Sequence, residues 1–214
     1  AKIVIVGLPF RKEVPLDSAD LTIEELVKVG VAKENILTIF GDLCKDVKFA
    51  QRIAEETIKA FGQIDIVANC AGFVLMDMVN LGVAQPVDML DPMIHMHVRA
   101  PALLVQAVAP HLEKTKGSVV LVTSLTARPF VNQFHCFYSV AKAACEQFMI
   151  QAAGHLLKKG VRVNSVAPSV VRTSIATPEW FDMYEAAIKS DFAALPMQRL
   201  ALAEEVASVI DFLA

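Results

Sequence analysis

The stretch Ile64-Asp-Ile-Val-Ala-Asn-Cys-Ala-Gly72 passes from a β-branched apolar run into small residues. A run of this kind suits a strand buried on both faces. Small residues at its end let a ligand approach the backbone at the carboxyl edge of a sheet, where α/β folds bind nucleotides. A tight turn would ask for the same small residues. Four further runs share the character: Ile3 to Val6, Ile36 to Phe40, Ser118 to Thr123 and Arg162 to Ala167. Between them lie stretches of helical period at Asp20 to Val29, Val47 to Phe61, Asp91 to Glu113, Tyr138 to Lys159 and Glu204 to Leu213. Gly30, Gly62 and Gly160 fall just past three of these, where a left-handed cap favours glycine. Strand and helix in alternation predict a central parallel sheet flanked by helices.

The chain has 214 residues, enough for one sizeable core, and residues 1–214 read as a single domain. With 55% hydrophobic and 20% charged residues it lies far from disordered compositions. A net charge of -3, with no basic run interleaved with aromatics, argues against a nucleic-acid surface. No apolar stretch reaches the roughly 18 residues of a membrane span. The first residues lack a signal-peptide pattern, so the expectation is a soluble, cytoplasmic protein. Cys44, Cys70, Cys136 and Cys145 form no C-x-x-C pair, which suits free thiols in a reducing compartment.

Tyr138 and Lys142 are spaced i, i+4 on a predicted helix, so their side chains share one face. A free tyrosine is a poor base at neutral pH, and a fixed ammonium nearby favours the phenolate. Tyr-x-x-x-Lys alone also occurs by chance on solvated helix faces, so the neighbours decide. Ser124 closes the strand at Thr123, where a strand end and a helix start bring a hydroxyl toward the phenol. A cap or turn serine is the competing reading. Asp42 ends another strand and is placed to accept from an adenine amino group, or to cap the stretch that follows.

Taken together, Gly41-Asp42-Leu43, Asn69-Cys-Ala-Gly72, Ser124, Tyr138-Ser-Val-Ala-Lys142 and Val161-Arg-Val-Asn-Ser-Val-Ala-Pro168 resemble the short-chain dehydrogenase/reductase family. The resemblance runs from about Lys2 to Leu213. It implies a doubly wound, Rossmann-like, three-layer α/β fold, and hydride transfer between NAD(H) or NADP(H) and an alcohol or carbonyl. It also implies that Tyr138 exchanges the proton with the substrate oxygen and Ser124 hydrogen-bonds that oxygen. Lys142 would lower the tyrosine pKa and hold the nicotinamide ribose. Carried over residue by residue, Asp42 and Leu43 fall at the adenine. Asn69, Ala71 and Gly72 fall at the adenosine ribose, and Pro168, Val171 and Thr173 at the nicotinamide amide.

The sequence departs from the family pattern at several places. The glycine-rich phosphate turn that should follow the first strand is replaced by Leu8-Pro-Phe-Arg-Lys-Glu-Val-Pro-Leu-Asp17, and Ala1 to Gly7 looks like the family's second strand. The fold is therefore expected to be incomplete at both ends, with Ile3 to Val6 pairing directly beside Ile64 to Asn69 to close the sheet. His97 stands where the family has a catalytic Asn; it would hold a relay water or titrate near neutral pH, and a satisfied partly buried histidine is the alternative. Ser169 replaces the glycine of a Pro-Gly pair. Phe130, Phe134, Phe137 and Trp180 would line an apolar substrate pocket, with Ser174 to Leu195 as a mobile lid or a surface helical hairpin. Arg11 and Lys12 would meet a 2'-phosphate or form a solvated loop. A homodimer or homotetramer through the two long helices is implied. The rival to the enzyme is a silent relative kept for association.

Overall fold

The computed structural model describes residues 1–8, 19–128, 134–173, 175–189 and 197–214. Five parallel strands alternate with helices, as the sequence pattern predicts: β1 (Ile3–Gly7), α1 (Ala19–Lys28), β2 (Ile36–Phe40), α2 (Phe49–Phe61) and β3 (Ile66–Asn69) come first. They are followed by α3 (Leu90–Ile94), α4 (Ala100–Thr115), β4 (Ser118–Val122), α5 (Cys136–Leu157), β5 (Arg162–Val166), α6 (Pro178–Lys189) and α7 (Ala203–Leu213). The single helix expected over Asp91 to Glu113 is α3 and α4 joined by a π-helical turn, His95–Arg99. Gly62 caps α2 in the left-handed region at φ 83°, its N–H donating to the Ile58 carbonyl at 2.9 Å.

The strands do not form one sheet. β1 pairs with β2, Ile3 opposite Ile36, and β3, β4 and β5 form a second sheet in that order. The expectation that Ile3 to Val6 would pair beside Ile64 to Asn69 is thus corrected: among the described residues no ladder joins the two. The helix layer gives the reason. Side chains of both sheets share one core under α2 and α4, which pack against each other. Packed helices stand about 8–10 Å apart, close to two strand spacings, so a helix pair resting on both sheets can hold β1 and β3 more than one strand spacing apart. The consequence shows on β3, whose Ile66 is 54% exposed, whereas Val119, Val120 and Leu121 on the central β4 are fully buried.

The direction of winding reverses between β2 and β3. Right-handed crossovers then put α1 on one face and α4 and α5 on the other. α7 packs on β4 and β5. The fold is the doubly wound Rossmann-like α/β arrangement, in three layers, with a core of Ile39, Phe49, Val108, Leu112, Val119, Leu121 and Val161.

Gly117 closes the turn between α4 and β4. A Cβ there would overlap the Asp65 carbonyl oxygen and lie 2.7 Å from Leu112 Cδ2. Gly117→Ala is therefore expected to cost about 1–3 kcal/mol in denaturant unfolding. Gly154, whose added Cβ meets nothing within 4 Å, is the matched control, and Gly154→Ala should be neutral or stabilising by up to about 1 kcal/mol.

Candidate active site

The carboxyl edge of β3, β4 and β5 receives the start of α5, and there the structure brings together Ser124, Tyr138, Lys142 and His97. Tyr138 and Lys142 lie in the first two turns of α5 and project from one face, the Lys142 Nζ standing 5.5 Å from the centroid of the Tyr138 ring. Lys142 is buried, and its ammonium donates to the Val122 carbonyl at 2.8 Å, which ties α5 to the end of β4. Burial pulls its pKa down from 10.5 to about 8.

Ser124 begins a short 3₁₀ turn over Leu125–Ala127. Its Oγ accepts from the Thr126 N–H at 3.2 Å and the Thr126 hydroxyl at 3.0 Å. The same hydroxyl faces the Tyr138 phenol and favours its ionised form, so Ser124 is both a cap and a neighbour of the phenol. Tyr138 does not carry the lowered pKa that the sequence suggests. Burial raises it above the usual tyrosine value, and the Ser124 hydroxyl offsets only part of that. The phenol is protonated at neutral pH, set up as a donor.

His97 lies in the π-helical turn, its ring edge-on to Tyr138 with centroids 5.1 Å apart. Its Nε2–H donates to the Phe73 carbonyl at 2.7 Å. Burial first, and the Lys142 charge second, lower its pKa to about 4. Titration near neutral pH, one of the two expectations for His97, is corrected: the imidazole stays neutral, with its tautomer fixed by Phe73. A Cβ on Gly72 would come within 2.8 Å of His97 Cε1, which explains the glycine.

The remaining candidates spread along the same edge. Asn69 ends β3 opposite Leu121, and Cys70, Ala71 and Gly72 beyond it are exposed. Asp42 Oδ1 accepts from the Cys44 N–H at 2.9 Å and Oδ2 lies 3.6 Å from Lys45 Nζ, so its carboxylate closes a local turn, with α2 starting only at Phe49. Leu43 leans on the core. Pro168 accepts from the Leu125 N–H at 2.8 Å, Val171 bridges to Ala201, and Thr173 accepts from Ile175 N–H at 3.3 Å. Phe130, Arg11, Lys12 and Ser174 lie outside the described residues. From the lid segment, α6 packs Phe181 with Leu200, Leu125, Val170 and Trp180 in a small separate cluster beside the Ser124 loop.

Two positioning groups escaped the sequence reading. Buried Gln85 donates through Nε2 to the Phe134 carbonyl at 2.7 Å, and its Oε1 accepts from the Cys136 N–H at 2.9 Å, fixing the start of α5 just before Tyr138. Glu146, one turn beyond Lys142, accepts from the Thr123 hydroxyl at 2.9 Å and pairs with Arg128 at 3.2 Å. No local signal marks Gln85. Glu146 extends the i, i+4 series from Tyr138, which would have found it. Gln85→Leu is expected to lower stability by about 1–3 kcal/mol, read as a drop in the calorimetric midpoint, because two backbone groups lose their partners.

Residues 20–214 match the family model described as Enoyl-(Acyl carrier protein) reductase. An uncharacterized oxidoreductase of Thermotoga maritima is 32% identical over 178 residues, which are 82% of this chain and 68% of that protein. Dehydrogenase/reductase SDR family member 4 of Bos taurus is 31% identical over 195 residues, 86% of this chain and 66% of the relative. A short-chain dehydrogenase/reductase of unknown function from Caenorhabditis elegans, solved with cofactor, superposes with a TM-score of 0.87 at 28% identity, over 100% of this chain and 79% of its own. The chain belongs to the short-chain dehydrogenase/reductase family. It spans about two thirds of the length of these two curated relatives.

A nicotinamide cofactor fits part of this short-chain dehydrogenase/reductase. The exposed small residues Cys70, Ala71 and Gly72 leave the sheet edge open beside Lys142 and the Ser124 loop, and a buried hydroxyl without a partner, Ser169 Oγ, waits at the end of β5. Among the described residues nothing at the end of β1 offers a glycine-rich phosphate turn.

Proposed function

We propose that this short-chain dehydrogenase/reductase moves hydride between NAD(H) or NADP(H) and an alcohol or carbonyl substrate, with Tyr138 exchanging the proton. One observation carries the reading: a buried phenol, a serine hydroxyl beside it and a buried ammonium share one sheet edge. When bound, the nicotinamide supplies or accepts the hydride. In reduction Tyr138 O–H gives its proton to the substrate oxygen as the carbonyl carbon gains hydride, and Ser124 donates to the same oxygen. Lys142, pulled down to about 8, releases a proton more readily than an ordinary lysine and can restore the phenol. His97, neutral, leaves Nδ1 as an acceptor for a relay water.

Asp42 and Leu43 would meet the adenine, Asn69, Ala71 and Gly72 the adenosine ribose, and Pro168, Val171 and Thr173 the nicotinamide end. Lys142 would hold the nicotinamide ribose. Phe134, Phe137 and Trp180 favour an apolar substrate. Residues 1–214 work as one domain. The chain associates through α4 and α5, where Ile150 is 54% exposed beside a groove lined by Val105, Ala109 and Phe148.

Titration with NADPH and NADH tests the reading, with fluorescence of Trp180, the sole tryptophan, as the signal. Saturable quenching together with turnover of an apolar ketone is the expected outcome. No saturation at millimolar cofactor would overturn it and leave the association role.

A further inference from the structure

Among the described residues, Ser169 Oγ is the only buried side-chain nitrogen or oxygen without a hydrogen-bond partner. A hydroxyl shut away from water and left unpaired is costly, so such groups usually meet protein, an ordered water or a ligand. Local rearrangement offers little relief, because the backbone on either side is pinned. Pro168 accepts from the Leu125 N–H at 2.8 Å, and Val170 accepts from the Ala201 N–H at 3.0 Å, while Arg172 N–H returns to the Ala201 carbonyl at 3.1 Å. The backbone that carries the hydroxyl is thereby fixed one residue past Pro168, whose carbonyl takes the Leu125 N–H, and Leu125 follows the serine that faces the Tyr138 phenol.

We propose that Ser169 is a further cofactor-binding residue, its hydroxyl donating to the carboxamide oxygen of the nicotinamide. This rests on the hydride-transfer reading above. A ring that exchanges hydride with a carbon whose oxygen is held by Tyr138 and Ser124 must lie against the Ser124 to Leu125 loop, and therefore against residues 168–170. The carboxamide is the one hydrogen-bonding substituent on that ring. A buried hydroxyl pinned at this place matches it in both position and chemistry.

Ser169→Ala tests the assignment, with cofactor dissociation constants and apo stability measured side by side. NADPH should bind about three- to tenfold more weakly to the variant, the range of one hydrogen bond. The thermal midpoint of the cofactor-free variant should be unchanged or higher, since the removed hydroxyl had no partner. The thionicotinamide analogue, whose sulfur is a poorer acceptor, should bind the wild type more weakly than NADPH does, and Ser169→Ala should lose most of that discrimination. Unchanged NADPH affinity in the variant, a lowered apo midpoint, or discrimination that survives the substitution would each overturn the assignment. A wild type that binds neither cofactor would instead overturn the hydride-transfer reading itself, and this contact with it.

Discussion

Tyr138→Phe is expected to lower carbonyl reduction by roughly 10²–10⁴-fold, the range of a positioned general acid, while cofactor affinity changes little. The phenol is buried and held above its ordinary pKa, so at neutral pH nearly every molecule carries the proton that the substrate oxygen needs. Phenylalanine keeps the ring that packs edge-on against His97 at 5.1 Å and His135 at 5.4 Å, so the variant should fold. The measurement is single-turnover reduction alongside a fluorescence titration. A variant that still reduces substrate within threefold of the wild type would exclude Tyr138 as the proton donor.

Lys142→Met combines two effects of opposite sign. Turnover should fall by about 10²-fold or more, because the ammonium beside the phenol is gone. Stability should shift with pH in a way that identifies the lysine. Its folded pKa of about 8 lies below the unfolded 10.5, so the unfolded chain holds the proton more tightly. Charging this buried lysine therefore weakens the wild-type fold below about pH 8, and the penalty is relieved as pH climbs from about 8 toward 10.5. Relative to Lys142→Met, the wild type should gain about 2 kcal/mol of unfolding free energy between pH 7 and 10. Methionine leaves the Val122 carbonyl without its 2.8 Å donor, a loss that sets the offset between the two proteins but not the slope. Urea melts of both proteins across that range read the difference directly, and parallel curves would show that the ammonium is solvated.

The candidate site was legible in part. Ser124, Tyr138 and Lys142 were legible because hydroxyl, phenol and amine follow a strand end and a helix start at fixed spacing. His97 was legible as a departure, but its charge state was not. Whether an imidazole titrates near 6.5 or falls to about 4 depends on burial and on the Phe73 carbonyl, 24 residues away. The same holds for Gln85, which reaches across 51 residues to Cys136, whereas Asp42 bonds Cys44 two residues on, close to the local capping role that was one of its two readings.

Local order is written in local sequence. Apolar runs, helical period and the glycine after α2 set which residues become strand, helix and cap, because those choices depend on backbone sterics and neighbours within a few positions. The lateral spacing of the strands is decided by tertiary packing. The apolar pattern of Ile3 to Val6 would suit a strand with a neighbour on either edge, and in the folded chain it pairs with β2 on one edge and not with β3 on the other. Burial is likewise a property of the whole molecule, which is why the strands and the spacing of Tyr138 and Lys142 follow from the sequence while the raised phenol, the weakened lysine base and the stranded Ser169 hydroxyl come only from the folded chain.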